Sequence, residues 1–363
     1  MHVGMALIFQ GQGEDRADVD VYRNELRLGS LAEPLGFDSL WSIEHHFTDY
    51  AMCPDVLQML SYFAGRTEKI RLGSAVVVLP WHDPARVAEQ VVMLDHMSNG
   101  RMILGIGRGL GRIEFEGFGV DQNDSRAIFV ESAQMLLEGL ETGSVEFDGQ
   151  FIKQERRELR PAPLESFRGR TFAAAVSAES MPIMAKLGVG ILVIPQKPWD
   201  SVEKELGEYR SIYREMNGTE APPPVIGGWT VCHEDAGRAE EEARKYIGAY
   251  WRSVVQHYEF LGDHLGKLRG YEGYKVMQDA ISAPGGLDAM SEFFMNLQIW
   301  GTPEQCYEKI IDRIKRTDGG AFFATFSFGG MSYERAEENL RLFTDQVKPE
   351  LEKYNAAPSP LDA

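Results

Sequence analysis

Short apolar runs and longer amphipathic stretches alternate along most of the chain. Two of the runs, Ala75–Leu79 and Ile191–Ile194, contain no polar residue, which is typical of parallel strands covered on both faces. Runs that alternate with helical patterns indicate βα units rather than hairpins. The pattern predicts eight strands: Val3–Phe9, Ser39–Ile43, Arg71–Leu79, Met102–Ile106, Thr171–Ala175, Gly190–Ile194, Val225–Cys232 and Ala321–Phe328.

Helical patterns lie between these strands. Pro84 lies in the first turn of one predicted helix, where proline is tolerated, and Asp124 or Ser125 can cap another. Eight strands, each followed by a helix, predict an α/β fold of the (β/α)8 TIM-barrel type, with a doubly wound open sheet as the alternative. The clearest predicted helices are Val56–Ala64, Pro84–Met97, Arg126–Leu140, Ser201–Met216, Asp235–Tyr258, Pro303–Arg316 and Tyr333–Tyr354.

Two stretches interrupt the alternation. Thr142–Arg170 is an insertion after the fourth helix, and the glycine- and charge-rich Leu261–Met290 is an insertion before the eighth strand. Long insertions in a compact barrel are typically lids or disordered segments, and we expect Leu261–Met290 to be a lid. No linker divides the chain, so we expect a single domain over residues 1–363 with a frayed tail, Ala356–Ala363.

Composition narrows the possible functions. The 363 residues are 44% hydrophobic, enough to bury a large core without disulfides or metals. The net charge of −18 repels nucleic acids and anionic membranes, so a bound phosphate requires a local cation. The three cysteines form no C-x-x-C pair, and no apolar run approaches the ~20 residues of a membrane span. We therefore expect a cytoplasmic protein without nucleic-acid or membrane partners.

The sequence Glu44-His45-His46-Phe47 directly follows the second predicted strand. Reacting groups of a TIM barrel lie where the strands end, and an imidazole there can move protons near neutral pH. The alternative is a pair of partly buried histidines that only cap the strand. A metal site with Asp49 and His82 matches no zinc motif, so we expect no metal.

Glycines surround an arginine after the fourth predicted strand, in Gly105–Gly111. The third glycine of a G-x-G-x-x-G fingerprint is missing in every register, so the segment does not predict a dinucleotide-binding fold. Glycines do let the backbone approach a ligand closely, and the guanidinium of Arg108 can bind a phosphate through two hydrogen bonds. An arginine paired with a neighbouring carboxylate is the alternative.

A third candidate segment, Val176–Ser180, leads into a short helix. The free N–H groups and dipole of a helix N-terminus favour phosphate binding. The hydroxyls of Ser177 and Ser180 add hydrogen-bond donors, and Glu179 belongs to the same candidate cofactor-binding segment. Ordinary capping of the helix would by itself explain Ser177.

Residues Leu40–Ala127 resemble the luciferase-like flavin-dependent monooxygenases, especially the α-subunit of bacterial luciferase and its non-luminescent relatives. A looser resemblance runs through Ser177–Ile194. EHHF, the GRG of the glycine-rich loop and NDSRA are together fairly specific, although none would suffice alone. The strong resemblance covers about a quarter of the chain, in LWSIEHHFTDY, TEKIRLGSAVVVLP, HDPARVAEQVVMLDHMSNGR and GIGRGLGRIEFEGFGVDQNDSRA.

The resemblance implies a reaction as well as a fold. It implies a TIM barrel that takes reduced FMN (FMNH2) from a separate flavin reductase and reacts with O2. A C4a-peroxyflavin would then oxygenate a small organic substrate, with carbonyl compounds among the candidates. A homodimer formed through Val56–Ala64 and Pro84–Met97 is also implied.

The resemblance also assigns roles to individual residues. His45 matches the active-site histidine, and His46 is its neighbour. Arg108, Ser177 and Ser180 match contacts to the FMN phosphate. The cis peptide bond that the family has below the flavin ring falls at Ala75–Val76.

Three positions depart from the luciferase α-subunit. Gly107 replaces a reactive cysteine, Gly111 replaces a tyrosine, and Val176 replaces a glutamate. We expect Gly111 to open the pocket. FMN binding is compatible with these changes, whereas light emission and a preference for long-chain aldehydes do not follow from the resemblance.

Two other functions are compatible with the same barrel. One is an F420-dependent dehydrogenase or reductase, whose acidic cofactor tail would favour more basic residues than Arg108 and Arg112 at the barrel mouth. The other is a non-catalytic flavin-binding subunit, which would have no need of His45 and His46. We therefore expect an FMNH2-dependent monooxygenase.

Overall fold

The computed structural model describes residues 1–12, 16–175, 179–358 and 361 of the chain. The strands within these residues are β1 (His2–Leu7), β2 (Ser39–Ser42), β3 (Arg71–Ser74), β4 (Val77–Val78), β5 (Met102–Gly107), β6 (Ser144–Asp148), β7 (Lys153–Glu158), β8 (Thr171–Ala174), β9 (Gly190–Val193), β10 (Val225–Cys232), β11 (Ile299–Gly301) and β12 (Ala321–Thr325).

Eight of these strands close into a parallel barrel. Pairing runs from β1 through β2, β3, β5, β8, β9, β10 and β12, and β12 pairs with β1 to close the ring. The predicted TIM barrel is therefore confirmed, and the open sheet is excluded. β4 also pairs with β5, β11 pairs with β10, and β6 and β7 form a separate antiparallel hairpin.

Helices follow the strands. A π-helical turn, Phe343–Val347, separates the last two helices, so the predicted helix Tyr333–Tyr354 is interrupted. The helices of the described residues are α1 (Asp18–Gly29), α2 (Val56–Ala64), α3 (Pro84–Ser98), α4 (Arg112–Phe118), α5 (Ser125–Thr142), α6 (Ser180–Leu187), α7 (Trp199–Asn217), α8 (Ala236–His257), α9 (Tyr274–Ser282), α10 (Gly286–Leu297), α11 (Pro303–Thr317), α12 (Tyr333–Leu342) and α13 (Lys348–Lys353). None of them is both long enough and apolar enough to cross a membrane.

Large side chains fill part of the barrel. Trp41 on β2 is fully buried, and its ring stacks on Phe323 of β12 with centroids 5.1 Å apart. A Cβ atom at Gly73 on the adjacent strand β3 would overlap the Trp41 ring, so glycine is required there. These packed side chains belong to a cluster that also contains Ala6, Ile103, Phe172, Leu192, Val225 and Ala321.

Both predicted insertions contain secondary structure. Residues 142–170 include the hairpin of β6 and β7, and residues 261–290 include a 3₁₀ turn (Leu265–Lys267), α9 and the start of α10. Of the predicted frayed tail, residues 359, 360, 362 and 363 lie outside the described residues, whereas Leu361 is buried in the barrel cluster. The predicted strand Arg71–Leu79 is interrupted at Ala75–Val76, between β3 and β4.

Candidate active site

An open cavity of about 1220 Å³ lies where the barrel strands end. Its lining includes residues at the ends of four strands: His45 shortly after β2, Ala75 and Arg108 directly after β3 and β5, and Ala174 as the last residue of β8. Active sites of TIM barrels lie at this face of the fold.

His45 lies in this pocket, and its ring is oriented by a carboxylate from α4. Its Nδ1 atom lies 2.8 Å from Glu114 Oε1, and its Nε2 atom lies 3.4 Å from the hydroxyl of Tyr258. Burial opposes the ionisation of Glu114, but the charge of His45 and hydrogen bonds from His257 and His45 outweigh it and lower the pKa of Glu114 to about 2. An ionised carboxylate only accepts hydrogen bonds, so Nδ1 of His45 carries the hydrogen.

His46 was predicted beside His45, but its side chain does not line the pocket. It is buried against Trp81 and Phe118, with ring centroids 5.4 and 4.7 Å away, and its Nε2 atom lies 3.1 Å from Glu44 Oε1. His45 therefore lines the pocket. His46 does not, and instead packs against two aromatic rings and contacts Glu44.

Glu44 organises the turn after β2. Its carboxylate accepts hydrogen bonds from His46, from His82 at 2.7 Å and from the backbone N–H of Val78 at 3.1 Å. Burial raises the pKa of Glu44, but these hydrogen bonds outweigh it and lower the pKa. For His82 the signs are reversed: burial lowers its pKa, but the contact with Glu44 outweighs burial and raises the pKa. His82 thus pairs with Glu44 instead of joining a site with Asp49.

One group of the described residues has the chemistry of metal ligands: His45, Glu114 and His257, whose ligand atoms all lie within 4.8 Å of one another. The spacing of 2.8 Å between His45 and Glu114 is that of a charge-assisted hydrogen bond. Two ligands arranged tetrahedrally about 2.1 Å from a zinc ion would be further apart than that. The contacts therefore fit a hydrogen-bonded group.

Arg108 and Arg126 line the same pocket as His45. Both donate a hydrogen bond to the carbonyl oxygen of Gly270, at 2.9 and 3.0 Å. Arg126 also pairs with Glu179 at 2.8 Å, whereas Nη1 of Arg108 is buried without a partner among the described residues. Two carboxylates, Glu179 and Glu272, lie near these two guanidinium groups, so the unpartnered Nη1 of Arg108 is the donor that remains for a phosphate.

The third predicted segment is only partly described. Ser177, like Val176, lies outside the described residues. Ser180 begins α6 and lines the pocket. The side chain of Glu179 is 60% exposed, contacts Arg126 and does not line the pocket.

The middle of the pocket is formed by Ala75, Val76 and Gly107. The peptide bond between Ala75 and Val76 is cis, as the resemblance implied. A Cβ atom at Gly107 would overlap the side chain of Val76. The volume that a cysteine would occupy at position 107 is therefore partly filled by Val76.

Two expectations for the loop after β5 require correction. Gly111 does not open the pocket, because a Cβ atom there would overlap Glu114 Oε2 and lie 3.1 Å from His257 Nε2. Arg112 is not free at the mouth, because it forms a bidentate ion pair with Glu259 at 2.6 and 2.7 Å. Glu114 of α4 and His257 at the end of α8 take the space beside Gly111, and Glu259 pairs with the charge of Arg112.

Sequence patterns alone missed four residues of the site: Arg126, Glu114, His257 and Tyr258. Arg126 is the arginine of the NDSRA run, so the motif contained a signal for it. Glu114 lies six residues beyond Arg108 in another matching segment. His257 and Tyr258 lie where a predicted helix ends, and no local pattern distinguishes them from ordinary helix residues.

Comparisons with known proteins agree with this geometry. The sequence model of a family described as luciferase-like monooxygenase matches residues 1–318. The alkanal monooxygenase alpha chain of Photorhabdus laumondii is 27% identical over 340 residues, covering 93% of this chain and 94% of that relative.

Solved structures share the fold. Monooxygenase RslO1 from Streptomyces bottropensis has a TM-score of 0.81 at 22% identity and covers 97% of this chain and 100% of that one. The oxygenating constituent of 3,6-diketocamphane monooxygenase from Pseudomonas putida, solved with FMN, has a TM-score of 0.73 at 17% identity, with 96% and 99% covered. An F420-dependent tetrahydromethanopterin reductase from Methanopyrus kandleri has a TM-score of 0.63 at 19% identity, with 96% and 99% covered.

Proposed function

Because the chain belongs to the luciferase-like monooxygenase family, we propose that it is the oxygenating component of a two-component flavin-dependent monooxygenase. It takes FMNH2 from a separate flavin reductase and uses O2 to oxygenate a small organic substrate, with carbonyl compounds as the first candidates. One observation carries the proposal: a single pocket is lined both by two arginines that share the carbonyl of Gly270 and by a histidine that a carboxylate orients.

The residues of the pocket fit FMN. Arg108 and Arg126 would bind its phosphate, and the unpartnered Nη1 of Arg108 offers a donor for it. Ser180 at the start of α6 adds donors from a helix N-terminus. The ring would lie towards Ala75 and Val76. When bound, the reduced flavin supplies the two electrons that allow one oxygen atom to enter the substrate and the other to leave as water.

The remaining residues exclude water and handle protons. Tyr50, Tyr250 and Trp229 line the part of the pocket near His45, and the Tyr50 and Tyr250 hydroxyls are hydrogen-bonded to each other at 2.7 Å. This rigid aromatic wall keeps solvent from the reacting atoms. His45, with Nδ1 committed to Glu114, uses Nε2 to accept or return a proton at the substrate.

An F420-dependent dehydrogenase or reductase is the alternative, because proteins of that kind share the fold. The paired arginines would bind the phosphate of either cofactor. Arg112 is held by Glu259, which leaves less positive charge for the longer acidic tail of F420. FMN is therefore the cofactor that we propose.

Oxygen consumption tests the choice between the two cofactors. Purified protein is mixed in air with FMNH2 or with reduced F420, and O2 uptake, H2O2 release and 18O incorporation into a panel of ketones and aldehydes are measured. We expect 18O in a product with FMNH2 only. Hydride transfer from reduced F420 to the panel, without 18O incorporation, would support the alternative instead.

The role of His45 is tested with the same assay. We expect His45→Ala to increase the ratio of H2O2 to product by about tenfold or more, as for loss of an acid–base group. His96→Ala, which removes an exposed histidine on α3, is the matched control and should leave the ratio unchanged. An unchanged ratio in His45→Ala would remove the proposed role.

We also propose a cytoplasmic homodimer. All three cysteines are buried free thiols, as the reducing cytoplasm favours. On α2 and α3, Tyr62, Met93 and Met97 are 40–49% exposed, and large apolar side chains on adjacent helices favour burial in an interface. Sedimentation of the wild type and of Met93→Glu should give a dimer and a monomer; a wild-type monomer would contradict the proposal.

A further inference from the structure

The carboxylate of Glu114 is shared by two histidines. Its Oε1 atom lies 2.8 Å from Nδ1 of His45 and 3.5 Å from Nε2 of His257, and it also accepts the backbone N–H of His46 at 3.0 Å. All three side chains are largely or fully buried, with 14% of His45, 0% of Glu114 and 1% of His257 exposed. Water therefore contributes little to their orientation.

The contacts of His257 determine where its hydrogen lies. Its Nδ1 atom lies 3.0 Å from the hydroxyl of Thr48, which can donate to it. Its Nε2–H then faces Glu114 Oε1 at 3.5 Å, which is an ion-pair distance, and this Nε2 atom has no hydrogen-bond partner among the described residues. Burial lowers the pKa of His257, although the contact with Glu114 opposes the shift, so burial favours the neutral imidazole.

The groups around this cluster come from three parts of the chain. His45 follows β2, Glu114 is on α4, His257 ends α8, and Tyr258 follows it. The ring of Tyr50 stacks on that of His257 with centroids 4.5 Å apart and 14° between the planes. This ring stacking fixes the plane of the His257 imidazole.

The absence of a side chain at Gly111 leaves room for Glu114 and His257. The φ and ψ of Gly111, −67° and 120°, are open to any residue, so backbone conformation does not require glycine there. A Cβ atom would nevertheless overlap Glu114 Oε2 and lie 3.1 Å from His257 Nε2. A side chain at position 111 would therefore displace Glu114 and disturb its contact with His257.

We propose that His257 is a positioning residue for His45. Through Glu114, it holds His45 as the Nδ1–H tautomer, so that the unprotonated Nε2 of His45 and the hydroxyl of Tyr258 together face the pocket. His257 does not touch the substrate. A carboxylate that fixes the tautomer of a catalytic imidazole is a known requirement of proton transfer, and here a second imidazole fixes the carboxylate. The catalytic meaning of this arrangement rests on the proposed function.

The first test measures the tautomer of His45 without flavin. Protein labelled with 15N-histidine is compared by NMR with His257→Leu and His257→Gln, and His45→Gln assigns the signal. We expect His257→Leu to lower the ratio of Nδ1–H to Nε2–H tautomer by about tenfold, as for loss of one buried polar contact to a charged group. His257→Gln keeps an N–H donor and should restore most of the ratio. An unchanged ratio in His257→Leu would overturn the proposal.

A second variant disturbs the pair without removing a polar group. Gly111→Ala should displace Glu114 and His257 and change the His45 tautomer ratio in the same direction. Gly207→Ala is the matched control, because a Cβ atom there meets nothing within 4 Å. Thermal unfolding of each variant shows whether it is folded. A folded Gly111→Ala protein with the wild-type ratio would contradict the proposal.

The ratio of H2O2 to product during turnover then tests whether the tautomer of His45 affects the reaction. If the proposed function holds, the ratio of H2O2 to product should rise about tenfold in His257→Leu and return towards the wild type in His257→Gln. Because the NMR measurement needs no cofactor, a failure of the proposed function leaves the tautomer result standing. A tautomer ratio that changes while the H2O2 ratio does not would overturn the positioning role.

Discussion

The guanidinium carbon of Arg108 lies 3.8 Å from the centre of the Tyr271 ring. Tyr271 belongs to the insertion 261–290, and its hydroxyl donates a hydrogen bond to the carbonyl of Gly109 at 2.9 Å. A cation over an aromatic face is attracted by the ring quadrupole. The arginine that we propose for phosphate binding is therefore held in place by a segment that is distant in sequence, and the insertion forms part of the pocket.

Removal of Arg108 should weaken the binding of FMN but not that of riboflavin. Loss of a charge-assisted contact to phosphate is expected to raise the Kd of Arg108→Ala for FMN by about tenfold to a hundredfold. Riboflavin lacks the phosphate, so its Kd should change little. Fluorescence titration of both flavins measures the difference. The control is Arg112→Ala, whose guanidinium is paired with Glu259. A Kd for riboflavin that rises as much as that for FMN would show that Arg108 does not bind the phosphate.

The buried ion pair between Asp95 and Arg170 should stabilise the barrel next to the hairpin. Arg170 donates two hydrogen bonds to the Asp95 carboxylate, at 2.6 and 3.0 Å, and the two side chains are 8% and 0% exposed. Asp95→Ala leaves a buried charge without a partner, so we expect the free energy of unfolding to fall by about 3–5 kcal/mol. Urea denaturation measures this change. The control is Arg168→Ala, which removes an 85% exposed partner of Glu141 and should lower the free energy of unfolding by less than about 1 kcal/mol. Equal losses of stability in the two variants would contradict a stabilising role of the buried pair.

Glu25 should make the protein less stable as the pH rises. Burial raises its pKa to about 7, against the opposing hydrogen bond from Ser327. The unfolded chain ionises near the ordinary value of 4.5, so the folded state loses stability as the pH rises from about 4.5 through 7. The loss is on the order of 3 kcal/mol by pH 8.

Glu25→Gln removes this titration. Chemical denaturation of the variant between pH 5 and pH 8 should show a flatter dependence than the wild type, and the variant should be the more stable protein at pH 8. Glu241→Gln, on the exposed side of α8, is the control. A wild type and a Glu25→Gln variant with parallel pH profiles would contradict the shifted pKa.

The barrel was predictable from sequence because strands covered on both faces are apolar throughout, as β5 and β9 are. The predicted helix Val56–Ala64 agrees with α2 in both bounds, since Asp55 caps it and Gly65 follows it. The interruption at Ala75–Val76 leaves no mark in the run of apolar residues. Boundaries that depend on backbone geometry were therefore missed.

Some residues of the site could likewise be predicted from sequence, and others could not. His45 and Arg108 lie in local motifs at strand ends, so their positions could be predicted. The role that we propose for His257 depends on its contact with Glu114, which lies 143 positions earlier in the sequence. The expectation that Gly111 opens the pocket was wrong for the same reason, because a glycine does not reveal which distant side chain fills the space beside it.

The most direct test of the central claim is a crystal structure of the protein with FMN bound. The account predicts that the phosphate accepts hydrogen bonds from Arg108 and Arg126, and that the flavin ring lies over Ala75 and Val76 with its reacting edge towards Nε2 of His45. A phosphate bound elsewhere, with the guanidinium of Arg108 still directed to Gly270, would contradict it.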